Sequence, residues 1–105
     1  MYYLDVGSRI TDAGLAHLSK LSGPRALRLD DTIVTGAGLD HLGNLTLLLN
    51  LRLRRCPITD DAITHMTALT TLRSLDVSDT EMTDAGMKKL KAALPGCRVI
   101  NSMKL

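Results

Sequence analysis

One phrase returns every 24 residues, and that interval restricts the possible fold more than any single residue does. Ile10-Thr11-Asp12-Ala13-Gly14-Leu15 comes back as Val34-Thr35-Gly36-Ala37-Gly38-Leu39, then as Ile58-Thr59-Asp60-Asp61-Ala62-Ile63 and Met82-Thr83-Asp84-Ala85-Gly86-Met87. The threonines at 11, 35, 59 and 83 keep the period without drift. A fixed period of this size marks a stacked repeat architecture, in which each unit buries its apolar face only against its neighbours.

Within a unit the pattern changes from period two to helical spacing. Leu51 and Leu53 alternate with Asn50, Arg52 and Arg54, as in a short strand with one buried face, and Leu27-Arg28-Leu29 and Leu75-Asp76-Val77 repeat this one unit away on either side. A turn follows, then Thr-Asp or Thr-Gly, then apolar residues such as Leu15, Leu18 and Leu21 along one side of about two helical turns. Thr11, Thr35, Thr59 and Thr83 stand where a hydroxyl can accept from a free helix amide. Asp12, Asp60 and Asp84 place negative charge at the positive helix end. Strands joined by helical crossovers pair in parallel. Strands pack ~4.8 Å apart and helices ~8–10 Å apart, so the stack is expected to curve with its strands inside.

Composition agrees with stacked leucines. Only Tyr2 and Tyr3 are aromatic in a chain that is 45% hydrophobic, which is unusual for a compact globule. A length of 105 residues fits one domain, 1–105, of about four repeats plus a terminal strand. The formal charge of +2 is too small to argue for nucleic acid or membrane. No apolar run approaches the ~20 residues of a membrane span, and the start does not read as a signal peptide. Cys56 and Cys97, two isolated thiols, read as buried and reduced and point to a reducing, cytoplasmic setting.

Leu48, Leu51, Leu53, Cys56 and Ile58 fit the pattern L-x-x-L-x-L-x-x-N/C-x-L, as do Leu72, Leu75, Val77, Thr80 and Met82. On these residues the chain resembles leucine-rich repeat proteins. The I-T-D-x-G-L continuation resembles the cysteine-containing subclass of F-box-type substrate adaptors, and more closely the 24-residue T-D-A-G-L repeats of bacterial arrays. The ending Ala93-Leu94-Pro95-Gly96-Cys97-Arg98-Val99-Ile100 is similar to the terminal unit of those arrays. The resemblance implies an α/β leucine-rich repeat solenoid, with a curved parallel sheet on the concave side and helices on the convex side. It also implies a non-catalytic protein-interaction module that needs no cofactor. Two departures stand out: the first unit is one residue shorter between strand and cap, and Pro24 replaces a leading leucine. The chain begins almost inside a strand, which suggests an excerpt of a longer array or an end covered by another copy.

The resemblance places recognition on the outward strand residues. By register the candidate partner-binding residues are Tyr3, Asp5, Arg28, Asp30, Leu49, Arg52, Arg54, Arg55 and Asp76, with Ala26 and Ser78 on the same wall. One reading has Arg28, Arg52, Arg54 and Arg55 grasp an acidic feature of a protein partner, with Tyr3 and Leu49 as apolar anchors. The other is a ladder whose opposite charges satisfy each other. On the first reading, reversing Arg52 and Arg54 should abolish capture and barely alter thermal stability. A structural spacer, or self-association through the N-terminal end, is the alternative function; polyanion binding is weaker still without interleaved aromatics. His17, His41 and His65 share one phase, but neighbouring helices would hold their rings about a helix diameter apart, too far to converge on zinc at ~2.0–2.1 Å. No nucleophile stands beside a base and no acid/base pair emerges, so an enzyme is not expected.

Overall fold

The computed structural model describes residues 3–5, 10–18, 25–45 and 47–101. Five short strands form the sheet: β1 Tyr3–Asp5, β2 Ala26–Arg28, β3 Asn50–Arg52, β4 Ser74–Asp76 and β5 Arg98–Ile100. They lie side by side in chain order and all neighbours pair in parallel. Leu4, Leu27, Leu51, Leu75 and Val99 stand opposite one another, so the repeat phrase and the strand register are the same fact. The first step, from Leu4 to Leu27, is one residue shorter than the others, matching the short first unit.

The connections agree with the two turns expected in the first unit and differ in helix type beyond it. The first carries α1, Asp12–Leu18; the second a single α turn, α2 Gly36–Leu39, running into a 3-10 helix, Asp40–Asn44. The third reverses that order, a 3-10 turn at Asp60–Ala62 followed by α3, Ile63–Met66. Among the described residues the longest helix is α4, Asp84–Ala93. Propensity accounts for the ranking. Gly36 and Gly38 weaken the second unit, Ile63, Thr64 and Thr67 are β-branched, and α4 is filled with Lys88, Lys89, Leu90, Lys91, Ala92 and Ala93. Pro95 stands just beyond Leu94, the residue that caps α4. No helix among the described residues is long and apolar enough to cross a membrane.

The core is a set of ladders, each built from equivalent positions. Leu27, Leu51 and Leu75 form one, and Leu29, Leu53 and Val77 a second. From the other layer Leu15, Leu39, Ile63 and Met87 meet them, backed by Leu42, Met66 and Leu90. All of these are buried, and because like packs on like along the stack, no large ring is needed to fill the interior. Along the other layer α1 touches α2, α2 touches α3 and α3 touches α4. The far face of the sheet, bearing Arg28, Asn50, Arg52, Ser74, Asp76 and Arg98, is not covered by the core and stays at least partly open.

The recurring aspartate does more than sit at a helix end. Asp12 accepts from the Thr35 amide at 2.7 Å and the Thr35 hydroxyl at 2.5 Å; Asp60 accepts from the Thr83 amide at 2.8 Å and the Thr83 hydroxyl at 2.5 Å. Each carboxylate is a clamp reaching into the next unit. The threonines act as expected only in part. Thr11 and Thr83 accept from the amides of Gly14 and Gly86, whereas Thr35 and Thr59 make no side-chain cap. The clamp also explains the glycine of the phrase. A Cβ at Gly38 would stand 2.3 Å from Asp12 Oδ1, and one at Gly86 2.0 Å from Asp60 Oδ1, inside any permitted contact. In the second unit Gly36 replaces the aspartate, and there the third unit has Ala62 in place of the glycine. Gly36 packs against it so closely that a Cβ would lie 2.7 Å from Ala62 Cα.

This clamp makes the stack acid-sensitive. The Thr83 hydroxyl and amide, and to a lesser degree Lys89, hold the Asp60 carboxyl below its ordinary value against an opposing loss of hydration. A carboxylate depressed in the folded state contributes stability that is complete above the unfolded pKa, ~4. That contribution is lost as the pH falls through the lower folded value. Melting curves of the native chain and of Asp60→Asn should therefore run nearly parallel above pH ~5 and converge in stronger acid. A gap between them that stays constant into strong acid would count against the clamp.

Candidate functional site

The open sheet face is the candidate site. Asp5, Arg28, Arg52 and Asp76 lie in one transverse row, as the register of the sequence requires, and Ile100 continues it on β5. Arg28 is exposed, and Arg52 and Asp76 are half-buried. Between them runs a shallow cleft of about 270 Å³, walled by Arg28, Asn50, Arg52, Ser74, Asp76 and Ile100. Ala26 also lines this cleft, although only 6% of the residue is exposed. Ser78 is a correction. It is 1% exposed and turned back along the chain, its hydroxyl donating to Asp76 Oδ1 at 2.6 Å. The side chains of Tyr3 and Asp5, expected on this wall, lie outside the described residues.

At the exit of the strands the charges find each other across units. Arg52 pairs with Asp30, and the Arg54 backbone amide donates to the same carboxylate at 3.0 Å. Arg55 forks onto Asp31 through Nε at 2.6 Å and Nη2 at 2.9 Å. The hydrogen bond and the charge of Asp31 push the Arg55 pKa further up, so the guanidinium stays protonated. Asp31 and Arg55 share a left-handed backbone, φ 60° at each, and equal geometry one unit apart sets fork opposite carboxylate. Arg54 Nε stands 4.0 Å from Asp76 Oδ2. Of the two readings of this face, the structure realises the self-satisfied ladder for Arg52, Arg54 and Arg55. Two donors are left over. Arg52 Nε and Arg54 Nε are shielded from solvent yet meet no acceptor among the described residues.

Leu49 lies away from this row. It is half-buried at the entrance of β3 and lines a larger groove of about 720 Å³ with Leu72, Arg73, Leu94, Pro95 and Cys97. Cys97 is half-buried here rather than fully buried, and Val99 is the inward residue of β5. Cys56 is 2% exposed, and its thiol donates to the Leu29 carbonyl at 2.9 Å and meets Thr32 Oγ1 at 3.3 Å. Thr32 and Thr80 bond the Leu29 and Val77 carbonyls at 2.8 Å, so one small polar residue ties each turn. Burial raises the Cys56 pKa, the opposite of what a nucleophile requires. His65 Nδ1 meets Asp40 Oδ2 at 2.8 Å, and among the described residues no three His, Cys, Asp or Glu side chains gather as metal ligands.

Sequence reasoning missed the Asp12–Thr35 and Asp60–Thr83 clamps, because each motif was read inside its own unit. The signal that could have exposed them is the paired exchange of Gly36 for aspartate and Ala62 for glycine. A family model described as Leucine Rich repeat matches residues 68–91, the stretch that contains β4 and most of α4. That match supports a leucine-rich repeat. No curated protein matches the chain.

Proposed function

We propose that the chain is a non-catalytic protein-interaction module that engages its partner on the open, concave face of the sheet. The repeats are read as the 24-residue type, acting in a reducing, cytoplasmic compartment that suits two free thiols. The observation that carries the reading is the pair of orphaned donors, Arg52 Nε and Arg54 Nε, the first of them on a residue walling a cleft that no part of the core covers. Buried donors are nearly always satisfied, so two at one exposed face favour an acceptor brought by a partner. A carboxylate of that partner would fit, since Arg28 stands exposed on the same wall. Leucine-rich repeats generally serve as interaction scaffolds, and the match at residues 68–91 supports the same role here.

The ion pairs change how the reading is tested. Reversing Arg52 would set an acid against Asp30, and reversing Arg54 would set one near Asp76, so contrary to the expectation from sequence both reversals should also lower stability. Asn50→Glu together with Ser74→Glu sets negative charge in the cleft, which repels a partner carboxylate, and removes no member of either pair. With the chain immobilised, proteins retained from a native extract should be lost by this double variant while its melting temperature stays within a few degrees. Retention of the same proteins by the variant would overturn recognition at this face.

A further inference from the structure

We propose a second docking site, at the entrance rim of the sheet, that takes an extended acidic peptide segment with an apolar residue between its carboxylates. This goes beyond the open-face reading and uses different residues. Arg52, Arg54 and Arg55, three of the four arginines singled out from the sequence, stand against Asp30, Asp76 and Asp31. Arg25, Arg73 and Arg98 are exposed, and none forms an ion pair among the described residues.

The backbone lines up Arg25 and Arg73, one on either side of Leu49. The Arg25 carbonyl accepts from the Leu49 amide at 2.8 Å, the Leu49 carbonyl from the Arg73 amide at 2.7 Å, and the Arg73 carbonyl from the Arg98 amide at 2.8 Å. The rim therefore reads cation, apolar, cation in consecutive strands, with Cys97 next in line because Arg98 stands opposite Ser74. Beside it lies the groove floored by Leu49, Leu72, Leu94 and Pro95, with Arg73 and Cys97 in its wall. Arg25 and Arg73 are two strand spacings apart, ~10 Å, which an extended chain covers in about three residues. Carboxylates at positions one and four would each meet a guanidinium, in the bidentate geometry arginine favours. An apolar side chain between them would enter the groove over Leu49. The floor selects a peptide over a nucleic acid, because apolar aliphatic residues offer no stacking platform for bases.

The test is a titration of the full chain, followed through its amide NMR signals, with the peptide acetyl-Glu-Leu-Ser-Glu-amide. Signals of Leu49, Thr71, Arg73 and Cys97 should move and saturate, less so as salt is added. Lys-Leu-Ser-Lys should do nothing, and Glu-Ser-Ser-Glu should bind distinctly more weakly. Arg73→Glu should weaken binding about tenfold or more. The milder pair Arg25→Gln with Arg73→Gln should do the same with the remaining spectrum unchanged, which separates lost binding from lost folding. Three results would overturn the site: no movement at those amides, movement confined to Arg28, Asn50 and Ser74 on the open face, or equal binding by the arginine variants. Oligothymidylate displacing the peptide and producing the same shifts would also overturn it, in favour of a plain polyanion surface.

Discussion

Replacing Gly36 by aspartate should destabilise the chain on its own and cease to do so when Ala62 becomes glycine. The new Cβ would lie 2.7 Å from Ala62 Cα and 2.8 Å from Ala62 Cβ, and the first of these is backbone that cannot step aside. Overpacking of this kind costs about 1–3 kcal/mol, and ~2 kcal/mol corresponds to a fall of roughly 10 °C in a domain of this size. Ala62→Gly alone should cost about 1 kcal/mol through backbone entropy. Together they recreate the arrangement of Asp12 with Gly38. Thr59 is ready to complete it, since its φ of −112° and ψ of 177° match the −119° and −179° of the clamped Thr35. The double variant should be at least as stable as the native chain, with a coupling of about 2–3 kcal/mol between the sites. Costs that simply add in denaturant unfolding would show that the clamp is not what binds aspartate to glycine.

The second large effect is expected in the middle of the stack. Leu51 is 1% exposed, with Leu27 and Leu75 on either side in the sheet. Leu51→Ala removes a rung that supports both neighbours and leaves a cavity between rigid strands, for a cost of about 3–4 kcal/mol. The interaction terms of a stacked array are nearest-neighbour terms, so a central rung touches two interfaces where a terminal one touches a single interface. Val99→Ala, on the last strand and only partly buried, should therefore cost clearly less. Leu47→Ala, at a residue 42% exposed, should stay within about 0.5 kcal/mol. Urea unfolding of the three variants gives the order directly. A Leu51→Ala cost no larger than that of Val99→Ala would argue against a continuous ladder.

Much of the fold could be read in advance because each apolar position is reinforced by its copies. Leu27, Leu51 and Leu75 are buried in strands at the expected places, and the short first unit reappears as the short step between Leu4 and Leu27. The small residue in each turn, Thr32, Cys56 or Thr80, repeats the same kind of bond to backbone. What escaped were relations between units. Asp12 looks like a helix-end charge until Thr35 is placed beside it, and Asp30 looks like a ligand group until Arg52 occupies it. Helix type escaped for a related reason: Gly36, Gly38 and the β-branched residues of the third unit tip a short segment between α and 3-10 geometry. The candidate site was legible as a row, Asp5 to Asp76, but not in which of its charges are already spent. Arg25 and Arg73 become visible as a pair only once the others are paired off.

Everything rests on parallel strands stacked one unit apart, and scalar couplings transmitted through hydrogen bonds read that arrangement without a partner or a variant. The amide nitrogen of Leu49 should couple to the carbonyl carbon of Arg25, Arg73 to Leu49, Leu53 to Asp76 and Val77 to Ile100. Couplings that instead link these amides to residues outside the neighbouring unit, or in antiparallel order, would contradict the stack and with it both proposed binding surfaces.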